Sequence, residues 1–488
     1  MRSAPSTRPQ VVCAVARQRT GAAAPPAPAA ATPATVTAPL AVPRPATALY
    51  EGEQFDVPHT APALHLVPQG PWAEVPGGVC APHGFTAQGL HAGLRAGSTR
   101  ADAALIVSDR PAAAAGCLSA NPLAGASVAH TREALFHSQQ ARAVLMLQGQ
   151  ANIGTGYEGQ HDARLAAAAT ATALGGDTPA DSPAWIDPEQ VLLLSGGQLG
   201  ERLALDALLP ALPGLASGLA AGAEAAYHAA CALSAQGDST TKEAALEVPL
   251  GGYCAVRLGG MAAASPSGVQ AVVTCDAAVD PELWRAMFQR AAAASFGQLA
   301  LCSGDCLNDS VLGLANGSAG NPPILEPTGA AAQKLEAALT ALMQGLAKEV
   351  AWDGPAASCL LEVEVSGAEC QQAARQAALA VARSARVRAD MSCCKADWAG
   401  IACALGSSGV PFWPADLVVS LAGMPLFHHG RPTPDYASAQ AYAGEVLRLA
   451  SAKRSQVTIG IRLGGGPCSS KAWTFDQVFA SEPCCAFK

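Results

Sequence analysis

Short apolar runs set between long alanine-rich stretches constrain this chain more than any other feature. Ala103–Val107 (AALIV), Ala143–Leu147 (AVLML), Val191–Leu194 (VLLL), Leu246–Leu258, Val269–Cys275 (VQAVVTC), Gln298–Cys302, Leu360–Val365 and Val457–Leu463 have strand length and strand composition. Pro281–Phe296, with Leu283, Met287 and Ala291 on one side, Ala330–Val350 and Gly367–Arg386 have helix length. Strands alternating with helices predict an α/β fold built in layers. The first strand is expected to end in a turn at Ser108-Asp109-Arg110-Pro111, and a Gly-rich polar loop is expected from Gln148 to Gly159. Val191–Leu194 runs into Ser195-Gly196-Gly197-Gln198-Leu199-Gly200 and then an apolar helical stretch. A strand, glycine turn and helix in that order aim backbone N–H groups at an anionic oxygen.

The chain has 488 residues, enough for two or three structural units at about 150 residues each. Half of the residues are apolar and 14% are charged, the composition of a globular protein. A net charge of −8 without a basic stripe argues against nucleic acid as a partner. No run of 18 strictly apolar residues is present, so no membrane span is expected. The richest stretch, Leu208–Leu233, is broken by Pro210, Pro213, Glu224 and His228 and reads as an alanine-rich helix of a soluble core. The 16 cysteines lack the Cys-x-x-Cys spacing of structural zinc: Cys302 and Cys306 have three residues between them, and Cys393-Cys394 and Cys484-Cys485 are adjacent. They read as reduced, mostly buried thiols, with no metal site.

From Met1 to Tyr50 there is no Asp, Glu or Lys, while Arg2, Arg8, Arg17, Arg19 and Arg44 carry charge among serines, threonines and a Pro/Ala run. That composition predicts an organelle transit peptide over residues 1–50. Sparse charge favours the chloroplast over the mitochondrion.

Two long strings carry a family resemblance. Ala143–Ala163, AVLMLQGQANIGTGYEGQHDA, is similar to AVVVNSGNANAxTGxxGxxDA, keeping Gly149, Ala151, Asn152, Thr155, Gly156, Gly159, Asp162 and Ala163. Ser303–Gly317, SGDCLNDSVLGLANG, is similar to GDTSTNDTVLLLANG, keeping Gly304, Asp305, Asn308, Asp309 and Ala315-Asn316-Gly317. With Gly259-Gly260-Met261-Ala262 and Asp276-Ala277-Ala278, they make the chain resemble the ornithine acetyltransferase (ArgJ) family from about Pro76 to Phe479. The resemblance implies a layered α/β sandwich, cleaved into two chains (here 51–267 and 268–488) that assemble as an α2β2 heterotetramer. It implies acetyl transfer from N-acetylornithine to glutamate in arginine biosynthesis, with acetyl-CoA as a further acetyl source and no bound cofactor or metal.

Several positions that carry the family's chemistry are substituted. The nucleophilic Thr falls on Gly268, in a segment about six residues short, and the Lys after Gly-Gly-Met-Ala is Ala263. Glycine has no oxygen to carry an acyl group, whereas a freed N-terminal Thr is activated by its own amine. Ser265 and Ser267 are the hydroxyls nearby, with Ser267 the surrogate at the expected cleavage point. The oxyanion-hole Thr-Gly reads Gly196-Gly197, which keeps backbone N–H groups and loses a side-chain donor. The substrate-binding Thr becomes Gln236, and the carboxylate that pairs the substrate's ammonium becomes Pro355. Lys242 matches a family Lys and is expected at the surface. Two functional classes follow: a working acetyltransferase, or a catalytically inactive relative that acts through binding. A lost exon edge accounts for the short segment but not for the substitutions elsewhere.

Overall fold

The computed structural model describes residues 66–476, except 177–181, 183–184, 235–241, 252–253, 266, 302–305 and 353–356. The expected transit peptide, Gln236, Pro355 and Cys484-Cys485 lie outside the described residues. The described part falls within the compact unit Phe55–Lys488.

Fifteen strands and ten α-helices are described. The strands are β1 (Ala73–Glu74), β2 (Phe85–Leu90), β3 (Ala103–Leu118), β4 (Gln140–Gln150), β5 (Val191–Gln198), β6 (Glu243–Gly251), β7 (Cys254–Ser265), β8 (Gly268–Cys275), β9 (Ser310–Ala315), β10 (Leu360–Ala368), β11 (Val418–Leu421), β12 (Met424–His428), β13 (Arg431–Pro432), β14 (Gln456–Arg462) and β15 (Cys468–Phe475). The helices are α1 (Ala126–His137), α2 (Gly156–Gly175), α3 (Leu205–Ser217), α4 (Ala223–Leu233), α5 (Pro281–Ala293), α6 (Ala330–Trp352), α7 (Gln371–Ala382), α8 (Ala385–Ser392), α9 (Trp398–Gly406) and α10 (Tyr436–Lys453).

A mixed nine-stranded sheet runs β1-β6-β7-β8-β9-β3-β4-β5, with β2 paired to β3. Strand alternation divides its two faces. On β3, Leu105 packs into the cluster of α2 and α3, and Ile106 into the cluster of α4. Helices α5 and α6 cover β7, β8 and β9 through Trp284, Met287, Phe288, Leu339 and Leu342. A six-stranded sheet, β13-β12-β11-β14-β10-β15, buries Leu361, Val363 and Val365 against α7, α9 and α10. This is the layered α/β arrangement expected from the sequence. No helix among the described residues is long and apolar enough to cross a membrane.

Several element boundaries differ from expectation, each for a physical reason. Strand β3 does not turn at Ser108–Pro111; a register shift between Val107 and Ala112 absorbs those polar residues, and pairing with β4 resumes. Leu246–Leu258 is not one strand but parts of β6 and β7, which pair antiparallel. Leu208–Leu233 is not one helix: α3 keeps Pro210 and Pro213, ends at Gly218, and α4 starts after Gly222. Gln298–Leu301 forms no strand, and Leu299 makes an isolated bridge to Trp473.

Lys242 is buried, not at the surface, and attracts the carboxylate of Glu349 on α6. Burial nonetheless dominates at Glu349, whose Oε2 has no hydrogen-bond partner; with Glu243 and Glu74 nearby, its pKa is pushed up to about 8. A carboxyl whose pKa is raised by folding binds its proton more tightly folded than unfolded. Its contribution to stability is therefore lost as pH rises between about 4.5 and about 8. Over that window this group should lower the unfolding free energy by up to about 1.4 kcal/mol per pH unit. Glu349→Gln should remove that slope in urea melts run from pH 5 to 8; an unchanged slope would contradict the assignment.

Candidate active site

The expected cleavage point folds as a tight hairpin. Ser265 at the end of β7 pairs with Gly268 at the start of β8, so two residues connect the strands. Gly268 has φ +144°, a conformation suited to glycine. A Cβ there would lie 2.7 Å from both the backbone N and Oδ1 of Asp309. Position 268 therefore has neither a hydroxyl nor room for one as β8 now lies.

The hairpin is held by residues of the second string, Ser303–Gly317. Asn308 is fully buried: its backbone N–H donates to Ser267 O (2.9 Å), and its Nδ2 donates to Ala151 O (2.8 Å) and Ser195 O (2.9 Å). Its Oδ1 accepts from Gly125 N (3.0 Å). Beside it, Asp309 accepts from Val269 N (2.8 Å) and Cys306 N (3.2 Å). The first string closes its own loop. Asn152 takes φ +53° and donates to Gly159 O (2.9 Å), Thr155 donates to Asn152 Oδ1 (2.8 Å), and Asp162 receives two 2.7 Å bonds from Arg202. Asp276 accepts from Arg257 N (2.7 Å) and from His83 N (3.1 Å), which explains its place after β8.

Gly196 and Gly197 do not form the expected turn before a helix. Both lie in β5, paired parallel with Gln148 and Gly149 of β4. Gly197 is crowded by Gly149 O, 2.1 Å from an added Cβ, and has φ +124°. At Gly196 an added Cβ would meet Gln148 Oε1 at 2.6 Å and Ser265 Oγ at 3.0 Å. The space that a side chain at position 196 would need is thus taken by the Gln148 carboxamide. Gln148 Nε2 donates to Gln270 Oε1 (2.7 Å), and Gln270 donates in turn to Ser195 O. The hairpin and β5 therefore do converge, with Ser265 between them.

The two serines differ in access. Ser267 is 2% exposed, whereas Ser265 is half-buried. Ser265 Oγ lies 2.9 Å from Ser267 Oγ and donates to Gly268 O (3.0 Å). Ser265, Gly268, Val269 and Asp309 form one wall of a cleft of about 850 Å³, within the range of small-molecule sites. Helix α7 also lines the cleft with Gln372 and Arg375, and Arg383 at its C-cap does so too. Sequence reading did not single out Gln148, Gln270 or Arg375; nothing in their local spacing marks them, and only the strand pairing brings them to the site.

An α/β sandwich with a cleft at the hairpin and glycine-rich strand ends defines the class. The sequence profile of the ArgJ family matches residues 86–479, and the chain belongs to that family. The chloroplastic arginine biosynthesis bifunctional protein ArgJ of Ostreococcus lucimarinus is 38% identical over 435 residues, 87% of this chain and 91% of that one. The ArgJ of Thermosynechococcus vestitus is 40% identical over 422 residues, covering 84% and 97%. The chloroplastic ArgJ of Physcomitrium patens is 39% identical over 421 residues, covering 85% and 78%. Among solved structures, ornithine acetyltransferase from Mycobacterium tuberculosis complexed with ornithine is 31% identical, covering 35% of this chain and 84% of that chain, with a TM-score of 0.32.

Two outcomes check this geometry. Asn308→Ala strips the donors from two buried carbonyls and orphans Gly125 N–H, and should cost about 3 kcal/mol or more in a urea melt. Gly268→Thr should not restore a cleavable chain. It should lower stability by about 1–3 kcal/mol and leave a single band on a denaturing gel.

Proposed function

We propose that this chain transfers an acetyl group from N-acetylornithine to glutamate in arginine biosynthesis, in the chloroplast, at the cleft beneath the β7–β8 hairpin. The family match over residues 86–479 supports the reaction class. The acid-free, arginine-bearing segment 1–50 and the chloroplastic relatives support the location. The observation that carries the site is that Ser265, next to Gly196, lines the cleft and donates to Gly268 O at the aligned nucleophile position, whereas Ser267 is buried.

In this scheme Ser265 Oγ attacks the acetyl carbonyl carbon and forms an ester, while the carbon–nitrogen bond to ornithine breaks. The proton leaving Oγ goes to the departing amine. The glutamate amine then takes the acetyl group and returns a proton to Oγ. The Gly197 backbone N–H is the donor for the carbonyl oxygen, in place of a lost side-chain hydroxyl whose absence typically costs about 10²–10³ in rate. Acetyl-CoA is a second acetyl source on the same ester. Self-association follows the family's heterotetramer, from a chain either cut before Gly268 or intact.

The second reading is a family member that binds without catalysis, because Gly268, at the aligned nucleophile position, has no hydroxyl. The test is ornithine release by the purified chain given N-acetylornithine and glutamate. Transfer that falls at least about 10³-fold in Ser265→Ala supports the first reading. No transfer by the unaltered chain leaves the second, and transfer unaffected by Ser265→Ala removes Ser265 from the mechanism.

A further inference from the structure

Resting on the acetyl-transfer reading, we infer that Arg375 forms the subsite for the side-chain carboxylate of the acceptor. Helix α7 is two-faced. Ala374, Ala377, Ala378 and Val381 are buried in the core of the second sheet, while Gln372, Arg375, Gln376 and Leu379 line the cleft at the i, i+3, i+4, i+7 spacing of one helix face. The guanidinium of Arg375 is anchored by one bond, Nη2 donating to Gly297 O at 2.9 Å. No described carboxylate pairs with it.

A guanidinium has five N–H donors in a planar fork that matches a carboxylate, so four remain after the bond to Gly297. The carboxylate lining the same cleft is no counterion in waiting, since Asp309 is engaged by Val269 N and Cys306 N. The α7 wall is therefore electropositive at Arg375. Arg383 lies eight residues on, about 12 Å along the helix axis, too far for both cations to grip one small amino acid.

The two substrates of the proposed reaction end in opposite charges. The ornithine side chain carries an ammonium, and the glutamate side chain carries a carboxylate. One charge cannot favour both. Arg375 thus serves the acidic acceptor and disfavours the ammonium end of the donor, which must lie elsewhere in the cleft. This makes Arg375 a specificity-determining residue and the neighbouring Gln372 an amide able to flank the same carboxylate.

The experiment is calorimetric titration of the full-length chain with glutamate, glutamine and N-acetylornithine. Glutamate should bind at least about tenfold more tightly than glutamine, the difference expected for a charge-assisted hydrogen bond. Arg375→Gln should erase that preference while leaving N-acetylornithine affinity within about twofold, and Arg375→Lys should restore part of it. The inference is overturned if Arg375→Gln keeps the preference for glutamate. It is equally overturned if all three ligands weaken together with a lower melting temperature, because Arg375 would then only be holding Gly297. An unaltered chain that does not bind glutamate also overturns it. Glutamate binding that depends on Arg375, without ornithine release in the transfer assay, would instead sustain the subsite and remove the catalytic reading.

Discussion

Everything at the site depends on the buried carboxamide of Asn308. Its three side-chain bonds and its backbone N–H tie together the segments at Gly125, Ala151, Ser195 and Ser267, which are far apart in sequence. Each buried carbonyl it satisfies would otherwise cost about 1–3 kcal/mol. No apolar residue can substitute for such a group, and Asp would bring charge without donors. The hairpin, the end of β5 and the loop after β4 hold their relative positions because one amide closes all of them.

That constraint separates framework from chemistry. The residues shared with the family, Asn152, Thr155, Asp162, Asp276, Asn308 and Asp309, are those whose bonds close loops and hold strands. At Gly196 a side chain would meet Gln148 and Ser265, and at Gly268, which lines the cleft, it would meet Asp309. Gln148 fills the space beside Gly196, its amide is fixed by Gln270, and β8 starts against Asp309. A side chain added at either glycine meets an occupied volume.

The fold was largely legible because strand and helix periods are local. The runs at Ala143–Leu147, Val269–Cys275 and Ala330–Val350 lie within observed elements of the expected type, and Val457–Leu463 overruns its strand by one residue. Boundaries failed where tertiary pairing overrode local turn chemistry: β3 continues past Pro111 because β4 and β9 pair with it, and Gly196-Gly197 extend β5 because Gly149 allows close approach. The candidate site was legible through its strings, which located the hairpin and Asn308. It was not legible in Arg375 or Gln148, whose relevance comes from facing a cleft that forms between distant segments. The relative access of Ser265 and Ser267, two residues apart, likewise needed the hairpin's geometry.

The central claim is that acyl chemistry at this cleft runs through the hairpin. It is tested most directly by incubating the chain with isotopically labelled N-acetylornithine, without acceptor, and mapping the label by peptide mass spectrometry. The expected result is an acetyl ester on Ser265, discharged on adding glutamate. Label on no residue of the segment 259–279, or label that glutamate does not remove, would contradict the account.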